Sequence, residues 1–370
     1  MFRSVRIIGY RGFTRYEMHA LGRVNLLVGR NNSGKTSVLE ALYLLGRQGD
    51  PRAFTRVCSQ RGEFFSRDEA RSASRAELDV AHLFNGHELS KGLEFSVGAE
   101  NAGAEQTLTV LVLEVANIDA EDLSEVGSAE DLLAMPRHFE MQVLSSPVGR
   151  KRVFALTSRG GLVTDSGAIP IRSSVFNRSK PADNVHFVST EAMGGGELSR
   201  LWDRIQLTPH EGLVMQALRF VDPGIEQIRA TEIGAGPGTR GGFIVRRAGE
   251  EMPIPLGSLG DGAWRMLAIA IVLTQCAGGM LFIDEIDTGL HHTVMADMWR
   301  LIQSMANALD IQVFATTHSE DCVYSLASIC RDDENAGDVT IQRIEGGRAK
   351  SVAYSEAEIR AAAEHRIEVR

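Results

Sequence analysis

The octapeptide Gly-Arg-Asn-Asn-Ser-Gly-Lys-Thr at residues 29–36 constrains the fold of this chain more than any other stretch. It has the spacing of a phosphate-binding loop, in which a glycine-rich turn joins a strand to a helix. Residues 24–28 before it are mostly apolar and suit a short buried strand, and residues 36–45 after it place apolar side chains on one helical face. Because the flanks and the motif agree, we interpret the octapeptide as a nucleotide-binding loop and not as a chance glycine turn.

Each residue type in this loop has a physical role. Gly29 and Gly34 let the backbone curl so that its N–H groups point at phosphate oxygens, and the following helix adds the positive end of its dipole. Lys35 is expected to reach the β- and γ-phosphates, and Thr36 is expected to offer its hydroxyl to Mg²⁺. The predicted ligands are ATP and Mg²⁺, and the predicted contacts in this region are Gly29, Arg30, Asn31, Asn32, Ser33, Gly34, Lys35, Thr36 and Ser37.

A second group of candidates follows an apolar run at residues 280–283, which ends in Asp284 and Glu285. A parallel strand would carry these acids at the carboxyl edge of the sheet, beside the phosphate loop. We predict that Asp284 and Thr36 hold Mg²⁺ and that Glu285 is the general base that orients and polarises the attacking water. An acidic helix N-terminus is the alternative, but the phosphate loop upstream favours the catalytic interpretation.

His318 is the third candidate, and it follows another apolar run at residues 311–316. It could hydrogen-bond the γ-phosphate or the water beside it. A lone histidine is usually structural, but this one follows a buried strand downstream of the acid pair. We therefore predict three catalytic residues: Lys35, Glu285 and His318.

Residues 258–262, Ser-Leu-Gly-Asp-Gly, precede a helix and form a second candidate anion pocket. The chain already has one phosphate loop, so this pocket needs a γ-phosphate from another copy. A head-to-tail homodimer, or a higher oligomer, would supply it. Ser258, Gly260 and Gly262 would then contact the nucleotide of the partner. From these residues alone, a plain helix cap in which Gly262 is a flexible joint is the favoured interpretation.

Composition limits the other classes of protein. The chain has 370 residues, 44% of them hydrophobic, and a net charge of −9, which argues against coating nucleic acid by bulk charge but leaves a local basic groove open. Its four cysteines lack C-x-x-C spacing and suggest buried, reduced thiols without a zinc site. No apolar run is long enough to span a bilayer, so we expect a cytoplasmic protein with no membrane contact.

Hydrophobic periodicity predicts the architecture. Strand and helix patterns alternate over residues 262–316, which indicates a parallel sheet with helical crossovers. Short strand-like runs over residues 76–171 predict mostly antiparallel β structure. Residues 2–23 predict a hairpin that feeds the nucleotide-binding sheet, whereas residues 46–75 are polar, arginine-rich and weakly patterned.

Together these motifs, in this order, resemble the ABC-type P-loop ATPase superfamily, in the branch that contains OLD, RecF and SMC proteins. The resemblance implies that residues 287–291 are the D-loop, with Leu290 and His291 at the dimer interface, and that His318 is the switch histidine. It also implies that Ser258 and Gly260 contact the partner's γ-phosphate, although Asp261 stands where the superfamily usually has glycine. The superfamily's glutamine loop is not identified; Gln48 and Gln60 are weak candidates.

The expected fold class is therefore α/β, an ABC-type P-loop nucleotidase core with a mixed sheet and helices, plus an inserted β-rich and irregular region. We expect no TOPRIM nuclease domain of the kind found in OLD proteins after His318, and the inserted region has no sustained heptads like those of SMC arms. The expected domains are a discontinuous core at 1–50 and 205–355, an inserted region at 51–204, and a C-terminal helix at 356–370 capped by Ser355 with Glu358.

Several functions fit these residues. The first is an ATP-dependent dimer switch, a sensor or regulatory subunit of a bacterial defence system with a separate effector protein. The second is a RecF-like DNA-repair ATPase, whose basic groove would use Arg52, Arg56, Arg61, Arg67, Arg71 and Arg75; pairing of these arginines with Glu63, Asp68, Glu69 and Glu77 on a solvated face is the simpler interpretation. A scaffold that binds ATP without turnover and a transporter subunit are less favoured.

Overall fold

The computed structural model describes residues 1–65, 75–101, 103–116, 137–157, 159–165, 183–189, 193–231, 242–332 and 338–365. Two compact units divide the chain. The first contains Met1–Ser4, Met18–Leu39 and Ala182–Arg370, and the second contains Val5–Glu17 and Glu40–Pro181. Residues 182–204, expected in the insert, lie in the first unit, and residues 5–17 and 40–50, expected in the core, lie in the second.

The elements of the described chain are as follows. The strands are β1 Ser4–Tyr10, β2 Phe13–Met18, β3 Val24–Val28, β4 Arg75–Asp79, β5 Glu94–Asn101, β6 Ala104–Ala116, β7 Arg137–Ser146, β8 Arg150–Ala155, β9 Gly161–Asp165, β10 Val185–Val188, β11 Ile225–Ala230, β12 Phe243–Arg247, β13 Ile254–Pro255, β14 Met280–Ile283, β15 Gln312–Thr316, β16 Val339–Arg343 and β17 Val352–Tyr354. The α-helices are α1 Lys35–Gly46, α2 Pro51–Gln60, α3 Gly195–Trp202, α4 Pro209–Val221, α5 Asp261–Gln275, α6 His292–Ala308, α7 Glu320–Asp332 and α8 Glu356–His365.

The main sheet of the first unit has the strand order β10-β14-β15-β3-β16-β17. The first five strands in this order run parallel, and β17 pairs antiparallel with β16, so the sheet is mixed as predicted. The register pairs Ile283 with Ala315 and Ala315 with Leu26. The loops that leave β14, β15 and β3 therefore meet at one edge of the sheet, where ligands bind in open α/β folds.

Helix α5 lies in the core of this unit. Twelve of its fifteen residues are buried, because its sequence is apolar on all faces and such a helix must be covered on every side. Across the sheet, three phenylalanines stack from strand to strand. Phe282 lies 6.5 Å from Phe187 and 5.5 Å from Phe314 between ring centroids, which holds β10, β14 and β15 in register.

The second unit contains the predicted antiparallel structure. Its sheet has the order β2-β1-β5-β6-β7-β8, and β5 to β8 pair antiparallel in succession; β4 and β9 form a separate antiparallel pair. The prediction that residues 2–23 feed the nucleotide-binding sheet is wrong, because β1 and β2 join this other sheet. Strand partners are chosen by tertiary pairing, which the local alternation of side chains does not encode.

Two helices of the structure were not predicted from the sequence. Helix α2 lies in the weakly patterned arginine-rich stretch; Asp50 accepts a hydrogen bond from the Arg52 N–H as its cap, Pro51 occupies the first turn, and Phe54 is buried. Helix α7 follows β15, where no element was predicted. In contrast, the predicted cap of α8 is confirmed, since the Ser355 N–H donates to Glu358 Oε2 at 2.7 Å.

Some predictions fall outside the described residues. These are Arg67, Arg71 and the expected partners Asp68 and Glu69, together with residues 366–370 of the C-terminal helix. All four cysteines lie in described segments and are buried and free, as expected. Within the described part of the chain, no helix combines the length and hydropathy needed to cross a bilayer.

Candidate nucleotide-binding site

The loop between β3 and α1 takes the backbone conformation that the motif requires. Gly29 and Gly34 have φ angles of 143° and 100°, which favour glycine, and Asn32 also lies in the left-handed region at 60°. A Cβ on Gly29 would lie 2.2 Å from the Ile344 carbonyl oxygen. Only glycine therefore allows this loop to pass so close to the end of β16.

Lys35 opens helix α1 and is 5% exposed. Its Nζ donates to the carbonyl oxygens of Gly29 and Arg30, at 2.7 and 2.9 Å, so the ammonium is folded back over the loop. Burial lowers the pKa of Lys35, and the nearby carboxylates of Asp284 and Glu285 act in the opposite direction. A bound phosphate chain would offer this cation charged partners in place of two neutral carbonyls.

A hydrogen-bonded cluster joins the phosphate loop to the acid strand. The Thr36 hydroxyl lies 3.1 and 3.2 Å from the two carboxylate oxygens of Asp284. Thr316, at the end of β15, donates to the same carboxylate at 2.6 Å and accepts from the Glu285 N–H at 2.8 Å. The first turn of α1, the residue after β14 and the last residue of β15 thus contribute one member each to a single cluster at the carboxyl edge.

These oxygens suit Mg²⁺, which prefers hard oxygen ligands and retains several waters. Thr36 and Asp284 would hold the ion, and its chemistry there is to place positive charge against phosphate oxygens. Among the described residues, no cluster of three or more histidines, cysteines and acids could hold a metal alone. An ion at this position would take its further ligands from water and from phosphate oxygens of the nucleotide.

Glu285 and His318 face each other beside this cluster. His318 Nε2 lies 3.7 Å from Glu285 Oε1, and the two side chains are 38% and 42% exposed, so both are accessible to water. Glu285 has a φ of 46°, a left-handed conformation that costs a non-glycine residue energy and that often marks functional positions. Thr288 donates to Glu285 Oε2 at 3.3 Å, which further orients the carboxylate.

A cavity of about 1130 Å³ adjoins the phosphate loop. It is larger than most small-molecule sites, which measure about 300–1,000 Å³. His318 and the first residues of the phosphate loop share its wall. The lining residues are Val28, Gly29, Arg30, Asn31, Thr317, His318, Ser319, Val323, Arg343, Ile344 and Glu345.

The Ser258 loop, residues 258–262, leads into helix α5. Ser258 and Gly260 are exposed, and Gly260 has a φ of 90°. A Cβ on Gly262 would lie 3.3 Å from the Gly289 carbonyl oxygen, so the start of α5 packs directly on the loop after the acid strand. In that second loop, Leu290 is buried and His291 is exposed. No residue of the Ser258 loop lines the cavity described above.

The structure therefore brings together Lys35, Thr36, Asp284, Glu285 and His318, whereas the Ser258 loop lies outside this group. Gln48 and Gln60, the candidates for the glutamine loop, belong to the second unit and do not line the cavity.

Two polar residues of the site were missed. Thr316 holds Asp284, and Arg265 donates to the carbonyl oxygens of Asp284 and Glu285 at 3.0 Å each. A signal for Arg265 exists in the sequence, because it is the single charged residue between Ala263 and Cys276 in an otherwise apolar helix. A cation in such a helix must find buried partners.

The fold and these groups define a P-loop ATPase of the ABC type. Residues 116–321, more than half of the chain, match the family described as "AAA domain, putative AbiEii toxin, Type IV TA system", and residues 1–124 match the "AAA ATPase domain" family. The chain belongs to the first of these families.

The chain is also similar to known proteins in sequence and in fold. An ATP/GTP phosphatase of Helicobacter pylori is 21% identical over 347 residues, which cover 91% of this chain and 90% of that protein. The DNA replication and repair protein RecF of Clostridioides difficile is 37% identical over 43 residues, 12% of each chain. The SMC head domain from Thermotoga maritima superposes with a TM-score of 0.44 at 13% identity, covering 96% of this chain and 99% of that one.

Proposed function

We propose that this protein hydrolyses ATP and acts as an ATP-dependent dimer switch. The observation that carries the proposal is the cluster formed by Thr36, Asp284 and Thr316, because it joins the phosphate loop to the strand that bears Glu285. The family assignment supports ATP as the substrate, and the Helicobacter pylori relative described as an ATP/GTP phosphatase supports hydrolysis.

In the proposed reaction, the backbone N–H groups of the phosphate loop and Lys35 bind the β- and γ-phosphates. Glu285 accepts a proton from a water molecule as the water oxygen forms its bond to the γ-phosphorus. The bond from that phosphorus to the bridging oxygen breaks, and ADP and phosphate leave. His318, 3.7 Å from Glu285, would stabilise the charge that develops on the γ-phosphate.

Dimer formation would use the Ser258 loop. The exposure of Ser258 and Gly260 at the start of α5 leaves a hydroxyl and a helix N-terminus available to an anion. In a head-to-tail homodimer each loop would close on the γ-phosphate bound by the other copy. The dimer would then form with ATP and separate after hydrolysis, since a ligand shifts an equilibrium toward the state that it binds better.

The biological role we propose is that of a sensor or regulatory subunit of a bacterial defence system, with a separate effector protein. The family description, which names a toxin of a type IV system, supports a place in such a system. A RecF-like DNA-binding role has weaker support. Two of its candidate arginines are already paired, Arg52 with Asp50 at 3.0 Å and Arg61 with Glu40 at 2.7 Å.

The test of the switch is Glu285→Gln. We expect this variant to release phosphate at least about 100-fold more slowly than the wild type, to retain ATP, and to double its particle mass in ATP as measured by light scattering. Glu226→Gln is the matched control, because Glu226 is a half-exposed acid on β11 that pairs with Arg246. Hydrolysis at the wild-type rate by Glu285→Gln would show that the assignment of the base is wrong.

Two further measurements separate the proposed roles. Affinity capture of the ATP-trapped chain from its own cells should recover one effector at constant stoichiometry. DNA binding that weakens with salt and is lost on changing Arg52 and Arg56 would instead favour the repair role.

A further inference from the structure

Arg265 is a buried cation in the first turns of helix α5. It is 7% exposed, and its guanidinium donates to three backbone carbonyls, those of Ser189 at 2.9 Å and of Asp284 and Glu285 at 3.0 Å each. These carbonyls lie just beyond the ends of the neighbouring strands β10 and β14. Burial lowers the pKa of the guanidinium, so the fold keeps this charge inside at a cost in solvation.

The bonds from Arg265 hold a strained residue in place. Glu285 has a φ of 46°, its N–H donates to the Thr316 hydroxyl, and the Ile286 N–H donates to the Thr316 carbonyl oxygen at 2.9 Å. Arg265 holds the carbonyl side of Glu285 while Thr316 holds the amide side. With both sides of the residue held, the direction of its side chain toward the water is set by the backbone.

Arg265 also connects this residue to the Ser258 loop. It lies four residues after Asp261, the first residue of α5, and therefore one turn along the same helical face. The start of α5 packs on Gly289 in the loop after the acid strand. A displacement of the α5 N-terminus would thus also move Arg265, one helical turn away, and with it the hydrogen bonds to the carbonyls of Asp284 and Glu285.

We propose that Arg265 is a positioning residue that sets the general base, and that it links the base of each chain to the loop of that chain that receives the partner's nucleotide. The inference rests on the proposed function. The two triphosphates of a dimer would then be hydrolysed in a coupled manner, because occupation of one chain's Ser258 loop would adjust that same chain's Glu285.

The test compares Arg265→Met and Arg265→Lys with a matched control. Arg23→Met is the control, because Arg23 also donates to two backbone carbonyls, those of Ala306 at 3.2 Å and Ile311 at 3.4 Å. It precedes β3 and therefore lies at the amino ends of the strands, opposite the carboxyl ends where the site is. ATP affinity is measured with a fluorescent ATP analogue, kcat by phosphate release, and the fold by thermal melting.

We expect Arg265→Met to bind the analogue within about threefold of the wild type and to lose about 100-fold in kcat, since a misplacement near 1 Å costs about that much. Arg265→Lys, which keeps a cation and a donor, should recover about tenfold of that loss. Arg23→Met should keep kcat within about threefold. A purely structural role for Arg265 would instead lower affinity, melting temperature and kcat together.

Either of two results would overturn the inference: a wild-type kcat in folded Arg265→Met, or equal losses of affinity and kcat. If Arg265→Met does not fold, the decision falls to Arg265→Lys, for which an unchanged kcat rejects the inference and a tenfold loss at unchanged affinity supports it. Failure of the proposed function is seen separately, as wild-type protein that releases no phosphate or as full activity in Glu285→Gln.

Discussion

Replacing Thr316 with valine removes one buried hydroxyl and keeps the shape of the side chain. Thr316 is 1% exposed, donates to Asp284 at 2.6 Å and accepts from the Glu285 N–H at 2.8 Å. A hydrogen bond to a charged group contributes about 1.5–3 kcal/mol, and a buried N–H left without a partner costs about 1–3 kcal/mol. We therefore expect the free energy of unfolding to fall by about 2.5–6 kcal/mol, a large part of the roughly 5–15 kcal/mol of a typical domain.

The replacement of Thr316 with valine should also weaken the binding of Mg²⁺. Thr316 orients Asp284, and loss of a group that orients a metal ligand costs about 10–100-fold in metal affinity or activity. The Mg²⁺ concentration that gives half-maximal phosphate release should rise by about that factor. Stability is measured by urea unfolding of the metal-free and nucleotide-free protein, and Mg²⁺ dependence is measured at saturating ATP.

Two variants control this experiment. Thr316→Ser restores the hydroxyl and should recover most of both losses. Thr340→Val removes another buried hydroxyl of the same sheet, which donates to Asn25 Oδ1 at 2.9 Å, and should cost only about 1 kcal/mol. If Thr316→Val loses no more stability than Thr340→Val and needs no more Mg²⁺ than the wild type, the reasoning about the cluster is refuted.

Three further predictions concern single positions. Gly29→Ala should lose ATP binding and at least about 2 kcal/mol of stability, measured by calorimetry and melting, because its Cβ would meet the Ile344 carbonyl at a φ of 143°. The pKa of Lys35 in the folded protein lies below its ordinary value of 10.5. Between these two pKa values the unfolded chain binds more protons, so the free energy of unfolding rises with pH. Bound phosphate raises this pKa again, so calorimetry in buffers of different ionisation enthalpy should record proton uptake when ATP binds. Glu40→Gln should cost about 3–5 kcal/mol in urea unfolding, because it breaks a buried pair with Arg11 at 2.7 Å.

Local patterns were sufficient for much of the fold and of the candidate site. The phosphate loop between β3 and α1 and the acids after β14 follow from residue types within short windows, because turn geometry, helix period and strand termination are local properties. The alternation of strands and helices in the second half of the chain also predicted a parallel sheet with helical crossovers, and five neighbouring strands of the main sheet do run parallel.

Other features depend on partners far away in the sequence. Strands β1 and β2 were predicted to join the nucleotide-binding sheet, yet they pair in the sheet of the second unit. The backbone hydrogen-bonding groups of a strand are the same for every possible neighbour, so the local sequence does not specify its partner. Helix α2 was not predicted, because arginines and other polar residues dominate its composition. The apolar face that includes Phe54 and Val57 is narrow.

The amino-acid sequence by itself determined which residues are candidates for binding a triphosphate, because glycine, lysine, threonine and acid side chains have their chemistry wherever they lie. Tertiary structure decided which of them act together. The pairing of β14 with β15 and of β15 with β3 brings Thr316 onto Asp284. The packing of α5 brings Arg265 onto the Glu285 backbone, and a buried guanidinium is stable only where folding has already gathered the carbonyls that satisfy it.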